Sequence, residues 1–209
     1  MSKWLVLIMA TVLSWGAMAQ ERFIEGRDYA VIAKPVKTDD ASKIEVKEVF
    51  WYGCPHCNDF RPVFDQWKKR QGADVDVQHQ PAMWNRRMVT HASIFYTAKS
   101  LGKLDAMHKD IFDAMHIKRE RLQKESEIYA LFAKQNVSKE DFDKAYNSFQ
   151  VKTAVRRADS TAKAYGITGT PELVVNGKYR ISVNMTGSQG KMLDVAQYLI
   201  AKERAAAGS

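Results

Sequence analysis

Two cysteines occur in the 209 residues, Cys54 and Cys57, and they stand three positions apart directly after a strand-like run. Ile44 to Tyr52 is rich in β-branched and aromatic residues, which suit a buried strand. Gly53 breaks the run. Phe60, Val63, Phe64 and Trp67 then recur at helical spacing, so a helix is expected to begin at the cysteine pair.

A C-x-x-C in the first turn of a helix, after a strand and a tight turn, is a redox arrangement for physical reasons. The start of a helix carries unpaired N–H groups and roughly +0.5 of a charge. Cys54 falls at the cap position, where its sulfur can accept those N–H bonds. Pro55 suits the first helical position, which needs no N–H. Cys57 lies on the same side of the helix and can close a short disulfide with Cys54. The helix end alone lowers a thiol pKa by roughly one unit from about 8.5. Charge-assisted hydrogen bonds of about 1.5–3 kcal/mol each, from backbone N–H groups and His56, would take Cys54 well below 7. An acidic Cys54 stabilises the reduced state, so the disulfide is the less favoured partner and acts as an oxidant.

The N-terminus reads as a cleaved signal peptide over residues 1–19. Lys3 precedes an apolar run from Trp4 to about Trp15, and Ala17-Met18-Ala19 supplies small residues for cleavage. Export implies a compartment where disulfides persist, expected here to be the bacterial periplasm. A structural staple is a poor alternative, because disulfide stabilisation grows with loop length and this loop is short. Zinc is equally disfavoured: Cys54 and Cys57 would need two more ligands, and His79, His91, His108 and His116 show no paired spacing. No metal and no cofactor beyond the cysteine pair is therefore expected, and those four histidines are read as surface or helix-packing residues. The formal net charge of +8 is spread along helices, so it describes a solvated surface and gives no support for nucleic-acid binding.

In order, Tyr29–Ile32 reads as a short strand, Ile44–Tyr52 as the central one and Val75–Gln80 as a third, with Pro62 a misfit expected to kink the intervening helix. From about Asn85 to Ala164 helical periodicity dominates; Ser126 and Ser138 are expected caps, and the last of these helices ends at Gly166. Glu172–Val175, Asn176-Gly177 and Lys178–Val183 read as a hairpin, and Gln189–Arg204 as a final amphipathic helix. The expected fold is α/β, a central mixed sheet flanked by helices. It divides into residues 20–84, an all-helical insertion at 85–164, and a second α/β part at 165–209.

Phe50-Trp51-Tyr52-Gly53-Cys54-Pro55-His56-Cys57, with Thr170-Pro171 and Val175-Asn176-Gly177-Lys178-Tyr179, resembles the DsbA family of periplasmic thiol:disulfide oxidants. The resemblance implies a thioredoxin fold with a helical insertion and a cis Pro171 facing the disulfide. It also implies that Thr170 and Pro171 meet substrate, and that Glu48 is a buried acid that moves a proton for Cys57. Read from alternation alone, Glu48 would be a surface charge sharing a face with Phe50 and Tyr52. The implied partners are reduced, unfolded exported proteins and a quinone-linked membrane protein of the DsbB kind for reoxidation, with the protein itself a monomer. A disulfide reductase or isomerase of the same fold, or a non-enzymatic chaperone, stays open. Trp51 and Trp84 are equally readable as apolar surface near the site or as core.

Overall fold

The computed structural model describes residues 22–207. The expected signal peptide and its cleavage after Ala19 lie outside the described residues.

Strand β1 is Ala30–Val31, β2 is Ile44–Phe50, β3 is Val75–Pro81, β4 is Glu172–Val175 and β5 is Tyr179–Ser182. They form one sheet in the order β1-β5-β4-β2-β3. β2 runs parallel to β3, with Ile44 opposite Val75 and Phe50 opposite Pro81, and antiparallel to β4 on its other edge. Lying between two neighbours, β2 has every residue from Glu45 to Phe50 buried. That demands apolar cover on both faces. Helix α1 (Pro55–Lys69) and the C-terminal α8 (Gln189–Ala207) cover one face, packing Phe60, Phe64, Leu199 and Ile200 with Val46. Each such fully buried side chain contributes about 1.5–3 kcal/mol.

Five helices follow one another between β3 and β4: α2 (Arg86–Ser100), α3 (Leu104–His116), α4 (Glu125–Ala133), α5 (Lys139–Tyr146) and α6 (Phe149–Ala164). α6 lies against the second face of the sheet, placing Val151, Val155 and Ala158 with Val49 and Val174. The amide of Gln80 reaches the Ala158 carbonyl at 3.4 Å. Phe50 and Tyr52 continue from the end of β2 into a core shared with Phe95, Ile111, Phe112 and Phe132 of the helices. The same core holds both cysteines.

The β4–β5 hairpin turns at Asn176 and Gly177, both at positive φ (51° and 62°), as a two-residue hairpin loop of this twist requires. A side chain at Gly177 would place its Cβ 1.9 Å from the Val36 carbonyl oxygen, so glycine is needed there on two counts.

Several local expectations change. β2 stops at Phe50, two residues early, because Trp51 and Tyr52 leave the sheet to form the turn that precedes Cys54. Pro62 lies inside α1 as expected, where it removes a bond to the Asn58 carbonyl. α4 is capped at Lys124, not Ser126; the Glu127 carboxylate accepts from the Gln123 amide at 3.3 Å just ahead of it. Ser138 caps α5 as expected, accepting from the Asp141 amide at 3.0 Å. A short helix, α7 (Val183–Thr186), follows β5 and closes at Gly187 with φ 80°.

Candidate active site

Cys54 is the N-cap of α1, in extended conformation, and Pro55 is the first helical residue. The expectation that the Cys54 sulfur accepts a capping bond is not met in full: it closes no capping hydrogen bond. Instead Sγ points at the Thr170 carbonyl oxygen, 3.3 Å away. Both cysteines are free thiols. Cys54 is 9% exposed and Cys57 is not exposed at all.

The acidities of the two thiols are split by their surroundings. Cys54 is lowered from 9.0 to about 5; the largest cause is the hydrogen bond with the Cys57 thiol, opposed by burial, with Thr170 and the Cys57 and His56 amides adding to it. Cys57 is pushed well above 9.0, first by burial, then by its bond to Cys54 and by the charges of Glu48 and Cys54. A single S–H shared between two sulfurs explains both shifts: the donor is harder to ionise and the acceptor easier. His56 acts here through its backbone amide. Its side chain is exposed, and its carbonyl accepts from the Gln189 amide at 2.7 Å.

The Thr170–Pro171 peptide bond is cis. Glu172 pins the loop before it, its Oε1 accepting from the Thr168 amide at 3.2 Å and the Gly169 amide at 2.8 Å. A groove of about 360 Å³ runs along this loop and is lined also by His56, Gln189, Val183 and Asn184. A larger groove of about 550 Å³ is lined among others by Lys47, His79, Tyr96 and Arg157; neither cysteine lines either groove, but the smaller one includes His56, Thr170 and Pro171. Glu172 and Gln189 were not singled out from the sequence. They are ordinary polar residues until the fold sets them against the loop and helix that hold Cys54.

Glu48 is 2% exposed, so it is buried, unlike the surface charge that alternation by itself suggests. Its Oε2 lies 2.7 Å from His79 Nδ1. Lys47 points the other way, paired at 2.8 Å with Glu45. The histidines converge on the same region. His108 Nδ1 is 2.9 Å from the Tyr52 hydroxyl, His116 Nε2 is 2.7 Å from the Tyr52 carbonyl oxygen, and His91 Nδ1 accepts from the Trp51 indole N–H at 2.9 Å. His91 and His108 are buried helix-packing residues as expected. His79 is different: it is a half-buried strand residue bonded to Glu48, whose charge acts on Cys57. Trp51 is half-buried against the helical core, whereas Trp84 is 54% exposed.

The DSBA-like thioredoxin domain model matches residues 66–198. Among relatives, the chain is 38% identical to the thiol:disulfide interchange protein DsbA of Pseudomonas aeruginosa, over 97% of this chain and 95% of that one. It is 37% identical to the protein of the same name from Pseudomonas syringae pv. tomato, over 96% of this chain and 94% of that one. The crystal structure of Pseudomonas aeruginosa DsbA superposes with a TM-score of 0.85 at 38% identity, covering 90% of this chain and 97% of that one. That of the oxidoreductase DsbA from Xylella fastidiosa gives 0.82 at 30% identity, covering 87% and 98%. With its helix-capping C-x-x-C, its unequal thiols and its thioredoxin fold carrying a helical insertion, this chain belongs to the DsbA family of thiol:disulfide interchange proteins.

Proposed function

We propose that the protein, exported to the periplasm through residues 1–19, donates the Cys54–Cys57 disulfide to newly exported, still unfolded proteins. The reaction balances without a further cofactor. A substrate thiolate attacks Cys54 Sγ, the Cys54–Cys57 bond breaks, and the sulfur of Cys57 leaves and takes up a proton. A second substrate thiolate then attacks the substrate sulfur of the mixed disulfide, and Cys54 leaves as a thiolate. Two electrons pass from the substrate dithiol to the cysteine pair.

The observation that carries this direction is the acidity of Cys54, lowered to about 5. A low-pKa thiolate is a good leaving group, and its stability favours the reduced protein over the disulfide. Pro55 and His56 serve as the spacer that sets the cysteines on one helical turn. Thr170 and Pro171 receive the substrate backbone beside Cys54, where the groove of about 360 Å³ has room for an extended segment. Glu48 takes the proton of Cys57 when that thiol must attack during reoxidation; its charge already acts on Cys57. A quinone-linked membrane protein of the DsbB kind returns the pair to the disulfide, and the protein works as a monomer. Among the described residues no helix is long and apolar enough to cross a membrane.

Equilibration with glutathione buffers tests this directly. An oxidant gives a reduced form favoured over a wide range of buffer compositions, and the Cys54→Ser, Cys57→Ser double variant loses all turnover. A pair that stays oxidised in mildly reducing glutathione would instead identify a reductase.

A further inference from the structure

Glu48, His79 and His108 come from three different elements, β2, β3 and α3, yet each offers one donor atom within 4.8 Å of the others. We propose that these three side chains form a binding site for one divalent transition-metal cation of the zinc type. The site shares Glu48 with the proposed proton path of Cys57 but does not depend on the proposed direction of electron flow.

Two nitrogens and one carboxylate oxygen are a donor set that zinc takes with three protein ligands, leaving a fourth position open. His108 is also held as metal-binding histidines are, by a hydrogen bond on its other edge. His108 Nδ1 is engaged by the Tyr52 hydroxyl at 2.9 Å, which leaves Nε2 as the free donor. That Nε2 is buried and has no hydrogen-bond partner. A buried imidazole nitrogen without a partner is costly, and it calls for a bound group that accepts or supplies what the protein does not. A tilted ring contact with His79, with centroids 4.4 Å apart and planes at 38°, accounts for the position of the His108 ring but not for its bare nitrogen.

The dimensions are compatible. Ligand bonds of about 2.0–2.2 Å in tetrahedral geometry place donor atoms about 3.3–3.6 Å apart. The Glu48–His79 contact of 2.7 Å would open by less than an ångström, and the outer limit of 4.8 Å would close. Entry is through His79, whose side chain is 10% exposed and lines the groove of about 550 Å³. Lys47 and Arg157 line that groove as well, so loading is expected to be slow and must be read at equilibrium.

The test uses untagged, oxidised full-length protein, in which both sulfurs are locked in the disulfide and withheld from metal. Titration with Co²⁺, followed by visible absorption and by competition with Zn²⁺, is expected to show one site. His108→Asn and His79→Asn should each weaken binding by more than the about 10–100-fold that loss of an outer hydrogen-bond partner costs, and Tyr52→Phe should fall within that range. His91→Asn should bind as the wild type does. No stoichiometric binding by the oxidised protein overturns the proposal, as does equal binding by the folded His79→Asn variant. Should His108→Asn fail to fold, the His79→Asn and Glu48→Gln variants decide it.

Discussion

Cys54 Sγ and the Thr170 carbonyl oxygen lie 3.3 Å apart although 116 positions separate the two residues in the chain. The sulfur that forms the mixed disulfide therefore already faces the backbone edge proposed to receive substrate. Glu172 anchors the loop bearing Thr170, and Gln189 ties α8 to the first turn of α1, so both halves of the contact are fixed from behind.

The Cys57 thiol is the largest cause of Cys54 acidity, so removing it must raise the pKa of Cys54. In the reduced protein, thiolate absorbance at Cys54 should titrate at about 5. Cys57→Ala should move the midpoint upward, and Cys57→Ser, which keeps an O–H donor, should move it less. An unmoved midpoint in Cys57→Ala would assign the effect to the helix end instead.

The shift also sets how stability depends on pH. The folded pKa of Cys54 lies below its ordinary 9.0, so its stabilisation of the reduced protein is present in full above 9.0 and is lost as pH falls through about 5. The raised pKa of Cys57 acts in the opposite sense, and only above the ordinary thiol value. Between about 5 and 9.0 the reduced protein should therefore gain stability over the oxidised protein as pH rises. Paired urea titrations of the two redox forms check the sign.

Replacing Pro171 by alanine adds an N–H beside Cys54 where the chain now has none. One additional hydrogen bond of about 0.5–1.5 kcal/mol to a bound segment is worth up to about tenfold in its release. Mixed disulfides between Cys54 and substrate should accumulate and be visible on non-reducing gels. Wild-type release rates would remove Pro171 from the substrate contact.

Gly177→Ala should destabilise the fold by about 1–3 kcal/mol. The added Cβ meets the Val36 carbonyl at 1.9 Å and the residue sits at φ 62°. Urea unfolding measures it, and a change below about 0.5 kcal/mol would mean that the turn shifts freely.

His91→Ala leaves the Trp51 indole N–H without its acceptor, a loss of about 1–3 kcal/mol. His91→Gln, which can still accept, should recover part of it. Thermal unfolding of the two variants separates the lost hydrogen bond from lost packing.

The cysteine pair, the helix that starts on it, the Asn-Gly hairpin and the helical stretch between β3 and β4 were all legible from spacing. Each depends on residues within a turn or two of one another. The failures have the same origin. Ser126 looked like a cap because capping was judged from residue type, while the start of α4 was decided by how its Ile128, Leu131 and Phe132 meet the core. Alternation alone makes Glu48 a surface charge, because it names a face without saying what covers it; the burial that the resemblance implies is what the structure shows. The histidines show the same limit: spacing along the chain does not reveal that His79 and His108 meet Glu48 from separate elements.

What the order of residues determined by itself is therefore local: where backbone donors stand unpaired, where a thiol can cap them, and where a chain can turn. Only the folded structure decided the division of acidity between Cys54 and Cys57, the burial of Glu48 and the meeting of His79 with His108. Ionisation and ligand binding respond to every atom within a few ångströms. Here those atoms arrive from 31, 56 and 116 positions away, brought close by the packing of α1 and α3 on the sheet and by the loop before β4.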